Sequence, residues 1–213
     1  MEFTRLIEIV GDEPVFEVGL LLIGEADPND VRRQLSRWVR AGRLYQLRRG
    51  LYALAPPFQK VRPHPFVIAN RMVRGSYVSL QSALAYHSLI PEMVPMTTSV
   101  TTGRPGRWET PLGIYEFRHI KADLFFGYRQ EEVSPGQHAF VATPEKSLLD
   151  LAYLNPGGDT PAYLQELRLQ NLERLDLVTL RRMADLTGKP KLQRVAAYVA
   201  QLARAEAEEY EIL

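Results

Sequence analysis

Two rhythms of apolar and polar residues run along this chain, and the places where one gives way to the other outline its elements. FTRLIEIV (3–10) and VFEVGLLLI (15–23) are short apolar-rich runs parted by the breaker stretch Gly11 to Pro14, and they predict two helices. Asp27 followed by Pro28 has the form of an N-cap with proline at the first helical position, and Gly42 that of a stop. A third helix is therefore predicted over about Pro28 to Ala41. LYQL and LYAL then flank Arg48-Arg49-Gly50, where glycine at positive φ closes a three-residue hairpin loop. The stretch APPFQKVRPHP (55–65) holds prolines 56, 57, 63 and 65, which disfavour both helix and ladder pairing, and it predicts a linker or hinge.

Beyond the prolines the pattern is mixed. A helix capped by Ser79 is predicted over about Leu80 to Leu89, and TTSVTT (97–102) reads as a strand. The turn-rich GRPGRWETP follows, then strands LGIYEFRHI (112–120) and AFVA (139–142) before a helix opened by Thr143-Pro144. The tail reads as helical: Thr160-Pro161 and Asp176 are starts, Gly188 is a stop, and a last helix covers about Pro190 to Glu209. The expected fold is α+β. Residues 1–60 form a winged helix-turn-helix domain, and residues 61–213 an α+β domain with a helical C-terminal part.

Composition narrows the function classes. With 46% hydrophobic and 24% charged residues among 213, the chain is expected to fold around a core. The absence of cysteine excludes disulfides, thiolate zinc sites and cysteine nucleophiles, and it fits a reducing cytoplasm. No secretion signal or membrane span is expected. Net charge is only +1, so affinity for nucleic acid has to come from a local patch.

The third helix and hairpin supply one. Residues 31–54 contain arginines 32, 33, 37, 40, 43, 48 and 49 and no acidic residue, whereas the thirty residues before them hold Glu2, Glu8, Asp12, Glu13, Glu17, Glu25, Asp27 and Asp30. At about 100° per residue, Val31, Leu35, Trp38 and Val39 share one face, while Arg33, Arg37 and Arg40 lie nearly opposite with Ser36 and Asn29 beside them. Arginine suits bidentate bonding to guanine edges and phosphates, and an exposed helix fits the major groove. A solvated helix face ordinarily mixes charge signs, whereas the run from Val31 to Leu54 contains no carboxylate at all. The expected DNA-binding residues are Asn29, Arg32, Arg33, Ser36, Arg37, Arg40, Arg43, Arg48 and Arg49, with Arg48 and Arg49 at the tip of the wing. Arg104, Arg107, Arg181 and Arg182 are candidates for secondary contacts with DNA or a partner.

The segment LSRWVRAGRLYQLRRGLYALAP resembles the winged helix of the AbiEi antitoxins, the transcriptional regulators of bacterial AbiE abortive-infection systems. YVSLQSALAYHSLIPE (77–92), TSVTTGRPGRWETPLGIYEFRHIK (98–121), LFFGY (124–128) and ATPEKSLLDLAYL (142–154) resemble the body of the same family, and the likeness runs from about residue 2 to 190. The resemblance implies a repressor that binds inverted repeats upstream of its own operon and opposes a nucleotidyltransferase toxin. No stable complex is implied, the type IV pattern. It also implies a monomer or weak dimer that places two copies on the operator. The alternative is an interaction protein that neutralises a toxin by direct contact, its winged helix docking protein or RNA.

Other constellations read as structural. MTTSVTTGRPGR lacks the lysine-hydroxyl ending of a phosphate loop. The four histidines lack metal-ligand spacing, so neither metal nor cofactor is expected. Glu145, Lys146 and Asp150 could in principle hold magnesium, but they open a helix, where capping and packing account for them. The chain is not expected to be an enzyme. The basic cluster Arg181, Arg182, Lys189, Lys191 and Arg194 could widen a DNA footprint, and the last helix could pack on the body or on a second copy.

Overall fold

Helix α1 (Phe3–Val10) buries Phe3, Leu6 and Val10, the three-to-four-residue spacing of one helical face. The computed structural model describes residues 1–22, 27–92 and 94–211. The run after Pro14, expected as a helix over 15–23, is instead strand β1 (Phe16–Glu17) and a 3-10 turn (Val18–Leu21). The last residue of that expected helix, Ile23, lies outside the described residues. A short apolar run suits a strand as well as a helix. Here the ladder decides it, with Phe16 opposite Tyr52 and the Val18 N–H donating to the Gly50 carbonyl at 2.9 Å.

Helix α2 (Pro28–Arg40) and the hairpin β2 (Leu44–Arg48) and β3 (Leu51–Leu54) follow as expected. The three strands form an antiparallel sheet in the order β1-β3-β2, the winged-helix arrangement. Arg48 pairs with Leu51, so the loop is two residues, Arg49 and Gly50 (φ +84), and not three. The extra residue is absorbed as a bulge at Leu47.

The body is a six-stranded mixed sheet in the order β6-β7-β5-β4-β9-β8. Its strands are β4 (Ser76–Val78), β5 (Met96–Thr101), β6 (Gly106–Thr110), β7 (Gly113–His119), β8 (Tyr128–Ser134) and β9 (Gln137–Ala142). Helices α3 (Pro65–Met72), α4 (Leu80–Tyr86) and α5 (Pro144–Leu154) complete this part, and α6 (Pro161–Glu166), α7 (Leu177–Leu186) and α8 (Pro190–Glu211) end it. Thr143, Thr160 and Asp176 cap their helices as expected. Ser79 does not: its hydroxyl donates to Asp150 Oδ2 at 2.8 Å, and α4 is shorter than expected. The turn-rich GRPGRWETP contains edge strand β6, held by pairing with β7.

The proline-rich connection is not a free tether. Its end enters α3, where His64 caps the helix by accepting the Phe66 N–H at 3.2 Å. Gln137 pins it further, accepting from His64 N–H at 2.8 Å and donating to the Arg62 carbonyl at 3.0 Å.

Strand β3 shows how the two parts join. All four of its residues are buried. Tyr52 and Leu54 enter a core built with α1 and α2, while Leu51 and Ala53 enter the core of the body together with Val15 and Leu47. The small sheet is thus covered on both faces. Three exposed ion pairs line the same seam: Asp12 with Lys60 at 3.4 Å, Glu13 with Arg71 at 3.9 Å and Glu17 with Arg74 at 2.7 Å.

Candidate nucleic-acid interface

Helix α2 is fixed at both ends by its own sequence. Asp27 accepts the Asn29 N–H at 2.8 Å, and Pro28 occupies the first turn, where no N–H is needed. At the other end Gly42 (φ +69) and Arg43 reverse the chain: Gly42 N–H reaches the Val39 carbonyl at 3.0 Å and Arg43 N–H that of Trp38 at 2.9 Å, a Schellman closure. Val31, Leu35 and Trp38 are buried, with Val39 packed beside them. The opposite face carries Arg32, Arg33, Ser36, Arg37 and Arg40, which together line one shallow, open depression. Asn29 is exposed at the start of the same helix. Arg33 makes an exposed ion pair with Asp30, one turn back. The expected stripe is therefore continuous and solvent-facing. It can meet an anionic surface without displacing any part of the described fold.

The remaining three expected residues divide. Arg49 is exposed at the wing turn, in a groove shared with Arg71 and Arg74 of the body. Arg43 lies over the Phe3 ring at 5.1 Å. Arg48 is exposed as well, but its guanidinium is engaged by the body: one N–H donates to the Met72 carbonyl, and its central carbon lies 5.6 Å from the centre of the Trp108 ring. The Leu47 bulge, by burying leucine against the body, puts Arg48 where it bridges wing and sheet.

Residues 27–55 match the family model for "Transcriptional regulator, AbiEi antitoxin". The AbiEi match runs from the Asp27 cap through α2 and both wing strands to Ala55, the very segment that carries all nine expected DNA-binding residues. Over the whole chain, the fold is similar to the crystal structure of RV2827C protein from Mycobacterium tuberculosis. The TM-score is 0.57 at 17% identity, covering 92% of this chain and 75% of that one. No curated protein matches the chain significantly.

Outside the AbiEi-matched segment, the secondary candidates line neither the depression on α2 nor the groove at Arg49. Arg104 is exposed on the β5–β6 turn, and Arg107 pairs with Glu109 at 3.3 Å. Arg181 and Arg182 line a separate groove between α7 and α8. Arg71 and Arg74, which no pattern in the sequence singled out, border the wing turn through the fold alone.

Lys146 and Asp150 belong to one buried network, and Glu145 makes a separate structural contact. Lys146 and Asp150 are a buried ion pair, and Asp150 Oδ2 also accepts from Tyr77 Oη at 2.9 Å and from Ser79 Oγ at 2.8 Å. The Lys146 ammonium sits 5.1 Å from the centre of the Phe126 ring, and Glu145 accepts the Asp176 N–H at 2.9 Å. Burial raises the Tyr77 phenol above its ordinary range, and the Asp150 carboxylate next to it adds to the effect. Lys146, Asp150, Tyr77 and Ser79 are thus bonded among themselves, and Glu145 ties the start of α5 to that of α7. His87 Nε2 lies 2.8 Å from the Ala142 carbonyl, and since a carbonyl only accepts, Nε2 carries the proton and donates.

Proposed function

We propose that this protein is a DNA-binding transcriptional repressor and the antitoxin of an AbiE-like toxin-antitoxin system. The observation that carries the reading is the unobstructed arginine face of α2, with Arg49 exposed at the hairpin turn, both inside the segment with the AbiEi match. Helix α2 enters the major groove of a half-site, with Asn29, Arg32, Arg33, Ser36, Arg37 and Arg40 facing bases and phosphates. Arg43 and Arg49 take the flanking backbone, and Arg48 holds the wing in place. Two copies on an inverted repeat upstream of the protein's own operon occlude the promoter. The repressed operon encodes a nucleotidyltransferase toxin that the antitoxin opposes without a stable complex. No step in this reading is catalytic, and it places the protein in the cytoplasm.

The test is binding of the purified chain to DNA upstream of its own gene, titrated with salt against an unrelated duplex. Sequence-selective binding that weakens steeply with salt supports repression, and rescue of growth on co-expression with the neighbouring nucleotidyltransferase supports the antitoxin half. Equal affinity for both duplexes overturns the operator assignment and favours a protein or RNA partner for α2.

A further inference from the structure

The most exposed large apolar side chains lie far along the chain from the arginine helix. Val178 and Leu186, both on α7, are 79% and 74% exposed, against 45% for Phe140, the next among the described residues. They stand about two turns apart with Arg181 and Arg182 between them. All four border a groove between α7 and α8 whose floor is made of Ala184, Ala196, Ala197 and Ala200, with Arg204 on its rim. Side chains that end at Cβ let a helix approach closely. The groove's lining carries Arg181, Arg182 and Arg204 against one carboxylate, Asp185, so its charge is positive.

We propose that this groove binds the acidic end of α8 from a second copy of the chain, each copy offering its helix end to the other about a two-fold axis. The last turns of α8 read EAEEYE (206–211), four carboxylates in six residues, opposite in sign to the groove. Among the described residues, the apolar contacts of α8 with the body end at Ala203, and the helix continues to Glu211, about 12 Å further. A continuous helix cannot fold back into a groove that it helps to form, so the occupant comes from another molecule. Since Arg204 precedes the acidic run by two residues in the sequence, antiparallel α8 helices lay an acidic segment of each copy alongside a basic segment of the other. Duplex DNA would satisfy the arginines but would leave Val178 and Leu186 against phosphate and water, whereas an amphipathic helix covers both.

This inference does not rest on the DNA-binding reading, because it is tested without DNA. Sedimentation equilibrium of the full chain at low salt is expected to show mass rising from one chain to two across about 10–100 µM, the range fitting a small interface. R181E/R182E is expected to stay at one chain mass, as is E206R/E208R/E209R, while the chain carrying both reversals regains the doubled mass. Should the reversals disturb folding by circular dichroism, V178S/L186S provides the same monomeric outcome without charge change. A wild-type chain that stays monomeric throughout overturns the proposal. So does a double reversal that folds and fails to re-pair, or an R181E/R182E chain that self-associates like wild type and loses only DNA affinity.

Discussion

Replacing Arg33, Arg37 and Arg40 together by glutamine tests the arginine face most directly, because the structure separates its binding role from its structural one. All three side chains are exposed, and the ion pair of Arg33 with Asp30 leaves both partners at least 64% exposed. Such a pair contributes at most about 1 kcal/mol. Arg37 and Arg40 sit in the last turn of α2, where a cation meets the helix dipole. Their loss costs about 0.3–1 kcal/mol each. The variant is therefore expected to fold, with a lowered thermal midpoint and an unchanged circular dichroism spectrum. Binding is another matter. If each arginine neutralises one phosphate, the slope of log K against log salt becomes shallower by about 0.9 per residue, or about 2.7 in all. Between about 50 and 200 mM salt, a fourfold change, the wild type then loses about 40-fold more affinity than the variant. Fluorescence anisotropy on a labelled duplex across that range measures it. A folded variant whose slope stays within about 0.5 of wild type would refute the assignment of α2 to the DNA backbone.

Three further outcomes follow from individual contacts. Arg48→Ala removes the hydrogen bond to the Met72 carbonyl and the stack on Trp108. It is expected to cost about 1–3 kcal/mol in urea denaturation, while Arg49→Ala changes stability by less than about 0.5 kcal/mol and weakens DNA binding. The reverse order of the two would contradict the bridging role of Arg48. Asp150→Ala strands the buried Lys146 ammonium and removes the acceptor of Tyr77 and Ser79. A loss of about 3–5 kcal/mol is expected, with a milder loss for Lys146→Met combined with Asp150→Leu, and a cost under about 1 kcal/mol for Asp150→Ala would rule the network out as a core element. Burial holds the imidazoles of His64 and His87 below the ordinary histidine value. Both are neutral in either state above about pH 7, but on acidification the unfolded chain takes up protons first, near about pH 6.5. Stability should thus fall from pH 7 towards 5.5 and fall less in His64→Asn, which keeps a capping side chain; equal pH dependence in the two chains would sink the assignment.

What could be read from the sequence, and what could not, divides along the reach of the interactions. Helix α2 was legible because its cap, its first-turn proline, its glycine stop and its two faces all lie within sixteen residues, from Asp27 to Gly42. The fold class and the order of helix and hairpin followed for the same reason. Strand β1 was missed because its partners Leu51 and Tyr52, more than thirty residues on, are what make Phe16–Glu17 extended. Helix α3 was hidden in a proline run that signals a linker by composition, although Pro65 after a capping His64 is itself a helix start. Strand β8 reads YRQEEVS, an edge strand with too few apolar residues to announce itself. One available signal went unused: LYAL is apolar at four consecutive positions, where a wing exposed on one face would alternate. That run means burial on both sides. It fits the three ion pairs at that seam, in which Asp12, Glu13 and Glu17 meet Lys60, Arg71 and Arg74, while on α2 itself Asp30 is engaged by Arg33 and Arg32, Arg37 and Arg40 face outward. The sorting of charge along the sequence is thus in part a sorting of surfaces: Asp12, Glu13 and Glu17 line the seam with the body, and the arginines of α2 face solvent.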